Sequence, residues 1–146
     1  MPIGFTKTLG ILLCVAGALL AQPALAGELL VVVSSNSTVR TLDRNQVRNI
    51  FLGKVSSFPD GQAAVPVDQP EFSPLRDEFY EKVANCSAAE VKARWARLAF
   101  TGRGEPPRVA NGSADIKKIL NSTPGAVGYI DKADLDSSIK IVFVVE

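Results

Sequence analysis

The sequence contains no histidine, one tryptophan, one methionine, two tyrosines and two cysteines among its 146 residues. Without histidine there can be no His-based catalytic triad, no imidazole metal site and no histidine pH switch. The first cysteine, Cys14, lies inside an apolar stretch near the N-terminus. Leu13 precedes it where a lipid-attachment site wants a small residue, so it reads as part of that stretch. If that stretch is removed as an export signal, only Cys86 remains, which would exclude an intramolecular disulfide and leave the hydrophobic core to hold the fold. Charge of one sign is also missing. Lys7 is the only charged side chain in the first 26 residues, and beyond them Lys plus Arg equals Asp plus Glu. A balanced chain lacks the basic excess that marks nucleic-acid binding and the polybasic patch that marks a membrane surface.

The N-terminus has the plan of an export signal. Lys7 supplies the positive start, Leu9 to Leu20 the apolar stretch, and Ala24-Leu25-Ala26 the small-x-small cleavage site. The stretch is short for a membrane span, which needs about 20 residues. The expectation is a cleaved signal over 1–26, a single domain over 27–146 and a periplasmic location.

Within that domain Glu28 to Val33 is a short, β-branched, nearly unbroken apolar run and predicts a strand buried on both faces. A helix is predicted over Asp43 to Leu52, with Asp43 and Gln46 as a capping pair and Gly53 at its stop. Val55 to Phe58 reads as a short extended piece before the Pro59-Asp60-Gly61 turn, and Ala63 to Val67 as a second strand. Ser73-Pro74 opens a helix with the stripe Leu75, Phe79, Tyr80 and Val83. Ser87 and Glu90 form a capping box for the next helix, where Val91, Trp95, Leu98 and Ala99 are expected to face inward and Lys92, Arg94 and Arg97 outward. Thr101 to Arg108 holds two glycines and two prolines and cannot be regular. Ser113 is the predicted cap of a short helix carrying Ile116, Ile119 and Leu120. Two more strands follow, Ala126 to Ile130 and Ile139 to Val145, the latter apolar enough to be expected at the sheet centre. Alternating strands and helices, with strands apolar on both faces, predict an α/β fold with a mostly parallel central sheet flanked by helices.

In such sheets ligands gather beyond the carboxyl ends of strands, near helix N-termini. The helix start at Ser73 is the first candidate site. Ser73 can donate a hydroxyl to an anion and Arg76 lies in the first turn, although plain capping accounts for Ser-Pro equally well and Asp68 and Glu71 would repel an anion. The second is Thr101 to Gly104, where Arg103 can grip an oxyanion; the loop lacks the Gly-Lys-Ser/Thr ending of a P-loop. Asp131, Asp134 and Asp136 lack the glycine and closing glutamate of a calcium loop and read as a solvated turn. The Asn-x-Ser/Thr triplets at Asn36, Asn85, Asn111 and Asn121 sit at turns and caps and read as structural. No nucleophile elbow, carboxylate pair or cysteine–histidine pair is present, so no enzyme, cofactor or metal is expected.

Four segments, in order, resemble the phosphate-type periplasmic binding proteins of ABC transporters. Val47 to Lys54 (VRNIFLGK) is similar to that family's IF-x-G-K helix. Val67 to Phe79 matches its strand-to-helix segment at Val67, Ser73 and Phe79. Thr101 to Gly104 with Pro106-Pro107 is similar to the loop after its tryptophan-bearing helix, and Thr123 to Ile130 (TPGAVGYI) to its TPGAIGYV signature. The resemblance implies a type II binding-protein fold reduced to the second of two lobes. Of the family's motif only Ser73 carries over directly; with the positions Gln69 and Leu75 that flank it in that motif, and with Arg76 and Arg103 read from their own chemistry, it makes up the expected ligand contacts. The departures are chemical. Gln69 stands where the family has its phosphate-binding arginine, and Ser73-Pro74-Leu75 where it has Ser-Gly-Thr. A charged fork, a hydroxyl and a backbone donor are thereby lost. The resemblance therefore implies either weak binding of phosphate or another small oxyanion, with a second copy or a partner closing the site, or a protein-interaction module that has given up its ligand and docks to an envelope protein.

Overall fold

A computed structural model describes residues 27–146. The expected signal over 1–26 lies outside the described residues. The elements, in order, are β1 (Leu29–Ser34), α1 (Arg44–Phe51), β2 (Val65–Asp68), α2 (Pro74–Ala84), α3 (Ala88–Phe100), β3 (Arg108–Val109), α4 (Ser113–Ser122), β4 (Ala126–Asp131), a 3-10 turn (Lys132–Asp134) and β5 (Ile139–Val145). One five-stranded sheet has the order β3-β2-β4-β1-β5. β2 pairs in parallel with β3 and β4, whereas β1 is antiparallel to both β4 and β5. Four strands thus share one direction and β1 alone runs against them.

β1 explains why the sheet is covered on both sides. Side chains alternate between faces along a strand. Leu29, Val31 and Val33 join the core beneath α1, α2 and α3, while Leu30 and Val32 join a second core with Ile116, Ile119 and Leu120 of α4. These five residues of β1 are buried, as the unbroken apolar run predicts.

The helix signals take effect largely where the sequence places them. Asp43 with Gln46 and Ser87 with Glu90 form reciprocal capping boxes. Asn85 adopts the left-handed C-cap of α2 at φ 51°, which accounts for that asparagine structurally. Three local expectations are corrected. Gly112, not Ser113, is the N-cap of α4, because only glycine accepts φ 124° readily there. Ala99 is exposed, and Arg94 turns in rather than out, its Nε donating to the Leu52 carbonyl at 2.6 Å. Trp95 Nε1 donates to the Phe51 carbonyl at 3.1 Å, so α3 satisfies two orphan carbonyls at the end of α1.

β5 is an edge strand, not a central one, and pairs only with β1. A bulge helps an edge strand bury apolar residues. Val31 faces Phe143 and Val32 faces Ile141, which leaves Val142 as the extra residue. Val142 turns inward at 3% exposure, and its carbonyl accepts the Leu42 N–H at 2.8 Å. The segment before α1 thus covers part of the edge. At the other side of the sheet, the turn at Gly125 (φ 79°) brings its Cα against β2's approach: a Cβ there would stand 2.1 Å from the Ala63 carbonyl oxygen. The TPG turn therefore needs glycine for space as well as for backbone conformation.

Candidate functional site

β2 ends at Asp68, and Gln69 to Ser73 lead into α2, so the C-terminal end of a parallel strand faces a helix N-terminus. Asp68 is a charged residue at the last position of a buried strand, 3% exposed. Its carboxylate accepts from four donors. Tyr80 Oη donates to Oδ2 at 2.7 Å, Tyr129 Oη donates to Oδ1, the Gln69 N–H donates to Oδ1 at 2.9 Å, and Arg76 Nε donates to Oδ2 at 3.3 Å. A buried charge needs such pairing to be tolerated. Gln69, also 3% exposed, spends its side-chain amide on the Tyr129 carbonyl at 3.0 Å.

The donors are held by packing independent of the carboxylate. The Tyr129 ring stacks on Phe79 with centroids 3.9 Å apart, and Phe79 meets Tyr80 edge-on at 5.1 Å. The Arg76 guanidinium lies over the Tyr80 ring, 5.2 Å from its centroid. Burial and the neighbouring Asp68 carboxylate push the phenols of Tyr80 and Tyr129 well above their ordinary range. Burial alone would lower the Arg76 guanidinium, but Asp68 and the two phenols more than offset this and hold it above its ordinary value.

Asp68, Gln69 and Arg76 open onto a recess of about 280 Å³ walled by Trp95, Pro106, Pro107 and Val109. Glu71 and Lys92 pair across its rim at 3.3 Å. Of the residues expected to touch a ligand, Gln69 and Arg76 line this recess and Ser73, Leu75 and Arg103 do not. Ser73 stands at the N-cap of α2 with no capping bond from its hydroxyl. Leu75 packs its side chain against the core beneath α1 to α3, leaving only its backbone N–H to a ligand. Arg103 is exposed in the loop after α3. Asp131 caps the 3-10 turn and Asp136 pairs with Lys117 at 2.9 Å, as befits a surface turn.

Two features escaped the sequence reading. Tyr80 read as part of an apolar stripe and Tyr129 as a strand residue, so their convergence on Asp68 was not foreseen. The available signal was an aspartate closing an apolar strand, with an arginine in the first turn of the next helix. The other is Phe72, which precedes the α2 cap at φ 69° and is 86% exposed. A bulky side chain with positive φ is rare because it costs about 1–2 kcal/mol.

The fold is a mixed sheet with helices on both faces and a recess beyond the end of a parallel strand. No family model matches the sequence, and no curated protein matches it. Solved structures do. A chain described as a phosphate ABC transporter substrate-binding protein of Clostridium perfringens, determined with bound phosphate, superposes with a TM-score of 0.64 at 23% identity. It matches 80% of this chain and 44% of its own. An ABC-type phosphate transport receptor of Vibrio cholerae gives 0.63 at 22%, covering 80% and 45%. PstS of Borrelia burgdorferi gives 0.60 at 12%, covering 80% and 46%. The chain thus has the fold of these binding proteins and spans less than half of their length. No helix among the described residues is long and apolar enough to cross a membrane.

Proposed function

We propose that this chain is a non-catalytic, exported recognition module of the cell envelope, a single binding-protein lobe that docks another envelope protein through the face at the head of α2. Phe72 carries this reading. The chain holds a large aromatic ring in water, on strained backbone, next in sequence to Glu71, which lines a recess walled by tryptophan, two prolines and the 59% exposed Val109. Strain of this kind persists where function maintains it, and an exposed apolar group beside a cleft is a contact surface. The charges around it, Asp68, Glu71 and Asp77 against Arg76 and Lys92, give no excess of positive charge for a free anion.

Replacing Phe72 by glycine tests the reading. The backbone strain is relieved, so folding stability is expected to hold or to rise by about 1 kcal/mol. Retention of the envelope partner on the immobilised protein should fall at least about tenfold, the effect of losing an aromatic anchor. Equal retention by Phe72→Gly and the natural chain would rule this face out.

One observation favours a second reading, weak binding of phosphate or another oxyanion at the same helix start. The Ser73 hydroxyl is not spent on capping, and the Leu75 and Arg76 N–H groups lie in the first turn. Together with Gln69 at the strand end and Arg103 in the loop after α3, these residues would form the contacts, a second copy or partner closing the site. Calorimetry with phosphate and sulfate decides: a heat lost in Ser73→Ala supports it, and no heat at millimolar anion sinks it.

A further inference from the structure

We propose that the end of β2 is an oxyanion site that the chain fills with its own carboxylate, so that Asp68 is a tethered ligand and the residue that keeps free oxyanions out. This goes beyond the docking role and does not depend on Phe72. Four donors converge on one carboxylate: a guanidinium Nε, two phenol hydroxyls and a backbone N–H. A carboxylate offers about four acceptor positions, so Asp68 is saturated. The donors belong to different elements, Arg76 and Tyr80 to α2, Tyr129 to β4 and Gln69 to the end of β2. The two phenols do not depend on Asp68 for their place. Both phenol rings are locked by aromatic packing, and Gln69 is tied to the Tyr129 carbonyl. Shortening residue 68 would leave a preformed hole lined by three side-chain donors and one backbone donor.

That hole would be reachable, because Asp68, Gln69 and Arg76 all line the recess open to solvent. Its chemistry suits a small anion presenting two oxygens about as far apart as those of a carboxylate, with Arg76 supplying the charge-assisted bond. Formate is the closest mimic of the group removed, and acetate and phosphate test the size limit. In the natural chain the two phenol hydroxyls, the Gln69 N–H and the Arg76 Nε–H are already given to Asp68, and only the terminal nitrogens of Arg76 remain for an external anion. Their occupation by Asp68 is thus a second barrier to phosphate, separate from the absence of an arginine at position 69.

Anion-dependent melting of Asp68→Ala and Asp68→Ser, beside the natural chain, tests this. Both variants should melt lower than the natural protein in chloride. At equal ionic strength, tens of millimolar formate should raise their Tm by about 4 °C or more, since a ligand that binds only the folded state stabilises it. The natural chain should move by less than about 1 °C, and Asp68→Ala combined with Arg76→Ala should lose the response. If the single variants fold only when formate is present, that also supports the proposal. If they respond to formate no more than the natural chain does, or fail to fold in chloride and formate alike, the proposal is overturned.

Discussion

Replacing Phe79 by alanine is expected to cost about 3–5 kcal/mol, the range for removing a buried aromatic and leaving a cavity. Phe79 is fully buried and lies at the centre of an aromatic group. It stacks on Tyr129 at 3.9 Å and meets Phe51 edge-on at 4.9 Å and Tyr80 at 5.1 Å. Those contacts join α1, α2 and β4, and the same ring keeps both phenols aimed at Asp68. Its loss therefore removes apolar burial and loosens the support of a buried charge. A domain of this size has about 5–15 kcal/mol in all, so the variant should be close to unfolding. Urea titration followed by fluorescence of Trp95, the single tryptophan, gives the measurement. Phe100→Ala is the control: at 93% exposure its effect should stay within about 0.5 kcal/mol. Equal midpoints for the two variants would contradict the packing described above.

The second large effect is at alkaline pH. Tyr80 and Tyr129 are the only tyrosines in the chain, and both are bound to Asp68. Burial first, and then the Asp68 charge, raise their pKa above the ordinary value of 10.0. A group whose pKa is raised on folding contributes stability that is fully present below its unfolded pKa and is lost as pH rises beyond it. Stability should therefore be insensitive to these phenols below about pH 10 and decline above it by about 1.4 kcal/mol per pH unit for each of the two. Tyrosinate absorbance should consequently stay silent near pH 10 and then appear in one step together with the loss of Trp95 fluorescence. In Tyr80→Phe or Tyr129→Phe the slope should halve. A smooth titration of either phenol near pH 10 in the folded protein would contradict the buried cluster.

The two effects share a cause that bears on function. α2 carries the aromatic ring at the centre of the packing, two donors to Asp68 and, just before its first turn, the exposed Phe72. The face proposed for docking thus follows directly on the aromatic packing around Phe79.

Much of this architecture was legible in the residues. Unbroken apolar strands required helices on both faces, and the capping boxes at Asp43 and Ser87 fixed two helix starts, because such signals act over three or four residues. The ordered segments VRNIFLGK and TPGAVGYI implied the fold that the solved structures share. Local pattern could not place β5 at the edge, since a bulge and the covering segment around Leu42 make an edge strand as apolar as a central one. It could not show that β1 runs against its neighbours, because strand direction leaves no mark on side-chain alternation. Nor could it bring Tyr80 and Tyr129, 49 positions apart in the chain, onto the carboxylate of Asp68. Phe72 looked unremarkable in sequence, and only the path of the chain into α2 gives it a positive φ and turns its ring to water. Elements and caps are decided by neighbours along the chain; the edge strand, the saturated carboxylate and the exposed ring are decided by contacts between residues far apart in it, which only the folded chain brings together.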